Sequence, residues 1–303
     1  MEQDINNQVF EEAQEIIDEL ATIVFTEYDG KIIYHYTSPI GLKEIVSSGK
    51  LWFTKSDYLN DTSELNYIFE TLEKSIDKGK YNHDFCKYIR NEFIENEQRS
   101  FNLSKYDYYI CSLSTEQDGL SLWNYYTKSE SKAGYNIAFN SLKLMKSLGR
   151  STKELRFDMG DIIYDQDEQD DLWNKVLFHL NQVYVDNIDL CKNKNEIFSS
   201  ITNTLIDVVL MYAPFIKHPA FANERERRIV YRVLKTKIEN VQVREQHGIF
   251  VPYLEIPFDI NLIKSITISP YVQSDAKMKS IQMLATKYKL NVECIASNIP
   301  IRF

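Results

Sequence analysis

Residues 165–217 carry a long helical pattern that constrains the fold of this 303-residue chain more than any other stretch. They contain no strand-like segment, although strand-like segments precede and follow them: YDYYICSLS at 106–114 and RRIVYRVLK at 227–235. Helices and strands thus mix without the regular alternation of a doubly wound parallel sheet, which favours an α+β fold. We expect one domain, residues 1–303, with a mixed sheet and an added helical layer inserted at about 165–217.

The charge balance and the cysteines limit the classes of function. The chain has 35 basic and 44 acidic residues and a net charge of -9, which disfavours bulk nucleic acid as a partner. The four cysteines show no metal-ligand spacing and indicate reduced thiols in a cytoplasmic protein. The acidic first residues predict no signal peptide, and the absence of an apolar run of about 18 residues predicts no contact with a membrane.

The stretch IIYHYTSPIGLKEIVSSGKLWFT, residues 32–54, predicts a strand, a short helix and a second strand. Ser38 suits the N-cap of this helix, and Gly49 suits its end. Strand alternation places His35 and Thr37 on one face. A histidine in a strand is costly to bury without partners. His35 therefore either bonds a backbone carbonyl in the core or contacts the ribose or phosphate of a ligand.

The loop KSDYLNDTSE, residues 55–64, precedes the next predicted helix. Asp61 and Glu64 have the spacing of an N-cap and its capping-box acid, which is a structural interpretation of the loop. The functional interpretation is that Asn60 and Asp61 line the same cleft as His35, so Asn60 is a candidate ligand contact.

The stretch SLSTEQDGLSLWNYY, residues 112–126, joins a strand end to a short helix. Ser112 and Ser114 share one strand face, and Trp123, Tyr125 and Tyr126 follow in the helix. The aromatic residues are typical of a core. Hydroxyls beside aromatic rings at a strand end also suit a nucleotide, so all five residues are candidate ligand contacts.

The stretch NERERRIVYRV, residues 223–233, opens a late strand. If it is extended throughout, Glu224, Glu226 and Arg228 share one face. One interpretation is a solvated run of charges. The other is that a carboxylate beside a cleft binds a ribose hydroxyl and stabilises developing positive charge. We expect one glutamate to pair with Arg228, with Glu226 the nearer of the two, and we keep both glutamates as catalytic candidates.

Two resemblances follow from these motifs. The strand with H-x-T, the short helix ending in Gly and the next strand ending in Thr resemble the opening of the ADP-ribosyltransferase fold in its tRNA 2'-phosphotransferase and DarT-type branches. The ordered blocks L-N-D, S-L-S…D…L-W-x-Y-Y, G-Y-x-I-x-F, E-x-E-x-R-I-V and I-x-I-x-P span roughly residues 32–296. They resemble the bacterial domain-of-unknown-function family 2971, several members of which resemble accessory or effector genes of phage-defence loci.

The resemblance to the ADP-ribosyltransferase fold implies NAD as the substrate, with no metal. It implies that His35 contacts the ribose of NAD, that Thr37 is its strand partner, and that Ser112 or Ser114 forms a cleft wall. It also implies a catalytic glutamate at Glu224 or Glu226 and a tyrosine stacked on nicotinamide. The candidates for that tyrosine are Tyr58, Tyr125 and Tyr126.

The two resemblances therefore imply an ADP-ribosyltransferase or NAD glycohydrolase that acts as a toxin or phage-defence effector. The acceptor of ADP-ribose stays open between a protein side chain, a nucleic-acid base and water. The alternative is a non-catalytic sensor subunit that binds a nucleotide or a protein in a defence complex, and the helical stretch 165–217 is the expected partner surface. A nuclease is disfavoured because the acidic residues lack two-metal spacing.

Overall fold

The computed structural model describes ten segments of the chain: residues 2–24, 30–59, 65–94, 106–126, 133–151, 156–190, 194–236, 240–246, 248–272 and 275–301. They form two compact units. The first unit comprises Met1–Phe25, Leu59–Lys105 and Ile162–Phe221, and the second comprises Thr26–Tyr58, Tyr106–Asp161 and Ala222–Phe303.

The α-helices of the described segments fall into both units. They are α1 (Glu2–Val24), α2 (Pro39–Ser48), α3 (Tyr67–Lys78), α4 (His83–Ile89), α5 (Leu120–Tyr126), α6 (Ser141–Ser151), α7 (Gln166–Asn187), α8 (Lys194–Tyr212) and α9 (Asp275–Lys287). Helix α2 begins and ends as predicted. The Ser38 hydroxyl accepts from the Gly41 N–H at 3.1 Å, and Gly49 ends the helix with φ +65°, where a side chain would be strained.

The strands of the described segments all belong to the second unit. They are β1 (Ile32–Thr37), β2 (Lys50–Lys55), β3 (Tyr106–Ser114), β4 (Tyr135–Asn140), β5 (Arg156–Asp161), β6 (Glu226–Leu234), β7 (Gln242–Gln246), β8 (Ile249–Pro257), β9 (Ile263–Ile268) and β10 (Glu293–Ala296). The sheet order is β10-β9-β4-β1-β3-β2-β8-β7, while β6 pairs with both β3 and β5. Strand β10 is parallel to β9 and β1 is antiparallel to β4, so the predicted α+β fold with a mixed sheet is confirmed.

The first unit is helical. Helix α1 packs against α7 and α8, and α3 packs against α7. Buried polar contacts fix these helices: Trp173 Nε1 donates to Thr71 Oγ1 at 2.8 Å, and the Tyr212 hydroxyl donates to the Leu20 carbonyl at 2.8 Å. The predicted helical stretch 165–217 holds α7 and α8, which share this unit with α1, α3 and α4. The single-domain organisation stays a prediction.

One helix of the described segments, Lys194–Phe215, is long and apolar enough to cross a membrane. However, 61% of its apolar window is buried inside the protein, as in a core helix of a soluble protein.

Strand β3 pairs with three other strands, β1, β2 and β6. Strand β6 pairs with one edge of β3 along its whole length, from Tyr106↔Leu234 to Ser114↔Glu226. Strands β1 and β2 therefore share the other edge, β1 at Ser114 and β2 at Tyr109 and Ile110. Between them, residues 111–113 have no strand partner on this edge among the described strands. We call this break in the sheet the β1–β2 gap.

Candidate functional site

A small cleft lies over the C-terminal end of β3 in the second unit. Its lining residues come from β1, β3, α5, the turn before β6 and the start of β6: Tyr34, Tyr36, Ser112, Leu113, Ser114, Leu122, Glu224 and Glu226. The empty space within it is about 240 Å³. This space includes open solvent, and the enclosed cavity is only about 20 Å³, which is room for about one water molecule.

Strand register explains why these side chains meet. Ser114 lies opposite Tyr34 on one side and opposite Glu226 on the other, so the three side chains form a row across β1, β3 and β6. Ser112 lies two residues back on the same face, opposite Arg228. The structure thus brings both predicted serines and both predicted glutamates to one cleft.

Glu226 and Arg228 form a buried ion pair on the cleft face of β6. Arg228 Nε lies 2.8 Å from Glu226 Oε1, and Arg228 Nη2 lies 3.1 Å from Glu226 Oε2. The side chains are only 6% and 1% exposed. The expected pairing of Glu226 with Arg228 is present, and it engages both carboxylate oxygens in a fork geometry.

Glu224 reaches the cleft from a turn and not from the strand, which corrects the expectation of one continuous strand face. The 3₁₀ segment Pro219–Glu224 ends at this residue, and Arg225 follows with a left-handed φ of +42° before β6 begins. The Ser114 hydroxyl donates to the Glu224 carbonyl at 2.8 Å, and the Thr115 N–H donates to the Arg225 carbonyl at 3.0 Å. Ser114 therefore anchors the turn that positions Glu224.

A buried aromatic pair closes the opposite side of the cleft. The Tyr36 hydroxyl donates to the Glu116 carbonyl at 2.9 Å and accepts from the Gly119 N–H at 3.1 Å. Burial, foremost, raises the pKa of Tyr36 to about 12. The Tyr36 ring meets Trp123 edge-on, with centroids 4.7 Å apart. Tyr36 is thus a fixed and neutral wall of the cleft near neutral pH.

Trp123 supports the cleft from behind, which corrects its assignment as a ligand contact. Its side chain is fully buried, and Nε1 donates to Asp118 Oδ1 at 2.7 Å. The same carboxylate accepts from the Ser297 hydroxyl at 2.7 Å and the Asn298 N–H at 2.8 Å. Because the ring is enclosed, it cannot stack on a ligand in this conformation.

His35 and Thr37 lie outside the lining of the cleft. His35 Nδ1 is 3.0 Å from the Ser112 carbonyl, which lies in the β1–β2 gap. A carbonyl only accepts, so Nδ1 carries the proton and the neutral ring keeps Nε2 as an acceptor. Burial, foremost, lowers the pKa of His35, the Ser112 bond raises it, and Arg244 lowers it. Thr37 is buried beside Gly41 of α2. Binding of NAD by His35 and Thr37 stays a prediction.

The remaining residues predicted to contact a ligand are either exposed or outside the described residues. Tyr125 is exposed on α5, and Tyr58 is exposed in the 3₁₀ turn Ser56–Tyr58. Asn60 lies outside the described residues, as does the side chain of Tyr126. Asp61 and Glu64 also lie outside them. Within the described segments, no group of three His, Cys, Asp or Glu side chains is placed to hold a metal ion.

Residues 122–229 match the model of the family described as "Protein of unknown function (DUF2971)". The matched stretch runs from the aromatic residues of α5 to the first residues of β6, and it contains Glu224, Glu226 and Arg228. The predicted family resemblance is confirmed by this match. No curated protein matches the chain.

Three residues of functional interest were not singled out as ligand contacts in the sequence. Tyr34 and Tyr36 line the cleft on the face of β1 opposite to His35, and strand alternation alone would have identified that face. Arg244 lies on β7, which joins the sheet by pairing with β8. No local pattern in this strand indicates a functional role for Arg244.

Proposed function

We propose that the second unit binds NAD and cleaves the bond between nicotinamide and ribose, as an ADP-ribosyltransferase or NAD glycohydrolase. The observation that carries the proposal is the meeting of Glu224, Glu226 and Ser112 in one cleft, from two separate segments of chain. Carboxylates beside hydroxyls and an aromatic wall suit a ribose that carries an aromatic base.

For this reaction the protein needs to bind NAD and to stabilise the positive charge that develops on the ribose. The bond between C1' of the ribose and the nicotinamide nitrogen breaks, and its electron pair leaves with nicotinamide. The acceptor forms a new bond to C1' and gives up a proton. Positive charge develops on the ribose, and a carboxylate that accepts a hydrogen bond from a ribose hydroxyl stabilises it. Water as the acceptor makes the reaction a hydrolysis, and a side chain or base makes it a transfer.

Glu224 is the better candidate for this carboxylate. Both oxygens of Glu226 are already hydrogen-bonded to Arg228, so its charge is neutralised within the strand. Glu224 is half-buried just before β6 begins, and the hydrogen bond from Ser114 to its carbonyl fixes its backbone. We assign Glu224 the ribose hydroxyl and Glu226 the role of holding Arg228 in place beneath the cleft.

A non-catalytic nucleotide-binding sensor is the second candidate function, and two observations favour it. The cleft encloses only about 20 Å³, and one of its two carboxylates is already neutralised. A sensor binds the nucleotide without consuming it, so the two functions differ in one measurable property.

The deciding experiment incubates the purified full chain with NAD and follows both NAD loss and nicotinamide release, with calorimetry of NAD binding in parallel. Binding with nicotinamide release supports the enzyme. Binding without any release supports the sensor. If NAD neither binds nor is consumed, both NAD-based proposals are wrong.

The cellular setting is part of the same proposal. The described cysteines Cys86, Cys111 and Cys294 are free thiols, as expected in a reducing compartment such as the cytoplasm. An effector role in phage defence, with a protein partner, follows from the family resemblance.

A further inference from the structure

Arg244 on β7 is a half-buried arginine for which the described residues supply no carboxylate. Its Nη2 donates to Thr54 Oγ1 at 2.9 Å, and its Nε donates to Gln246 Oε1 at 3.3 Å. Both acceptors are neutral. A guanidinium has five N–H donors, so three of them have no protein acceptor within the described segments. Charges withdrawn from water are normally paired, so this arrangement suggests that the partner is a ligand.

Two aromatic rings hold the guanidinium in place. Its central carbon lies 5.2 Å from the ring centroid of Trp52 and 5.1 Å from that of Tyr253. The two rings lie 5.0 Å from each other. Cation–π contacts of this kind orient the charge without neutralising it. Together with the Thr54 bond, they preorganise the N–H groups for a planar or tetrahedral oxyanion.

The charged residues near Arg244 do not neutralise its positive charge. Glu255, on the neighbouring strand β8, is already paired with Lys50 at 2.8 Å. His35 lies close enough for the positive charge of Arg244 to lower its pKa. Arg244 thus carries a positive charge with no carboxylate acceptor among the described residues, in a chain of net charge -9.

We propose that Arg244 and Thr54, with Trp52 and Tyr253 as the supporting wall, bind a phosphate group of a phosphorylated ligand. The site lies on the same face of the sheet as the cleft, because Thr54 is opposite Ile110 and Ser112 follows two residues later on β3. Two residues span about 7 Å along a strand. If the proposed function holds, this spacing suits a nucleotide whose pyrophosphate is held at Arg244. The phosphate site itself does not depend on that function.

The test titrates inorganic phosphate and ADP separately into the full chain and follows tryptophan fluorescence, with calorimetry of the same titrations. Of the three tryptophans, Trp123 and Trp173 are fully buried, so Trp52 is the reporter that an anion at Arg244 reaches. We expect saturable binding of ADP. Arg244→Gln keeps a donor toward Thr54 but removes the charge, and it should weaken binding at least about tenfold.

The matched control is Lys264→Gln, which removes one positive charge from an exposed position on β9 of the same sheet. It should leave the affinity unchanged. Circular dichroism and a urea midpoint check that Arg244→Gln is folded. If it is not, Arg244→Lys replaces it: the charge stays, the planar fork is lost, and binding should weaken by several-fold.

The results distinguish a nucleotide from free phosphate as the ligand. They also distinguish failure of the phosphate site from failure of the proposed NAD cleavage. Tighter binding of ADP than of phosphate identifies a nucleotide, and equal binding identifies the phosphate group alone as the ligand; both support the site. Equal affinities of the wild type and Arg244→Gln overturn it, as does the absence of binding in calorimetry. ADP binding that depends on Arg244, without NAD consumption, would leave this site standing while the enzyme proposal fails.

Discussion

Arg228 and Glu226, two residues apart on β6, bind each other through two hydrogen bonds of 2.8 and 3.1 Å beneath the cleft. Neighbours at this spacing share a strand face, so the pair neutralises itself within one strand. Burial makes each charge dependent on the other, since neither has water to replace the lost partner.

Arg228→Met should therefore destabilise the second unit by about 3–5 kcal/mol, because it removes the arginine that neutralises the buried Glu226 carboxylate. The measurement is the free energy of unfolding in urea. Arg225→Met is the matched control. It removes an arginine whose 2.7 Å pair with Glu116 is exposed, so its cost should stay below about 1 kcal/mol. Equal costs for the two variants would contradict this account of the buried pair.

Glu224→Gln should retain the fold and NAD binding but lower the rate of nicotinamide release by about 10²–10³-fold, by analogy with the loss of one group that stabilises transition-state charge. Single-turnover kinetics measure the rate, and calorimetry measures binding. Glu293→Gln, an exposed carboxylate on the distant strand β10, serves as the control and should react at the wild-type rate. A Glu224→Gln variant with unchanged turnover would exclude Glu224 as the catalytic residue.

His35 should make the protein less stable as the pH falls below 6.5, its ordinary pKa. Burial lowers its pKa in the folded state, so the unfolded state binds more protons there, and stability is present above pH 6.5 and lost below it. Urea unfolding at a series of pH values from neutral to mildly acidic measures this slope. His35→Gln cannot titrate but can still donate to the Ser112 carbonyl, and it should flatten the slope. Identical slopes for both proteins would show that His35 does not carry the effect.

Cys111 should resist alkylation in the native protein. Burial, with a smaller contribution from Glu226, raises its pKa to about 12, so the reactive thiolate is scarce at neutral pH and enclosed. Iodoacetamide labelling followed by peptide mass spectrometry should modify Cys111 only in urea. Cys86 and Cys294 are half-buried and provide the internal comparison. Modification of Cys111 at the same native rate as Cys294 would disprove its burial.

The sequence predicted the segments whose structure is encoded locally. Helix α2 begins at Ser38 and ends at Gly49 because a hydroxyl cap and a left-handed glycine act within one turn of chain. The alternation of β1 was also local, and it correctly separated His35 from Tyr34.

The parts that the sequence did not predict depend on distant pairing or on one unusual backbone angle. The ERER pattern suggested a continuous strand, but the left-handed Arg225 separates Glu224 from β6, which begins only at Glu226. Arg244 meets Trp52 only because β8 lies between β7 and β2, an order that no local pattern contains. The sequence allowed Trp123 to be either a core residue or a ligand contact, and its burial and its bond to Asp118 place it in the core.

The left-handed backbone at Arg225 also places the two acidic residues of the cleft in different elements, Glu224 in a turn and Glu226 in β6, so their positions can change independently. Glu226 is fixed by nine residue pairs between β3 and β6, so moving it would shift the register of the sheet. Glu224 belongs to the turn Pro219–Glu224, which can change in length or sequence without altering that register. The position of the Glu224 carboxylate can therefore change through this turn while the register of the sheet stays the same.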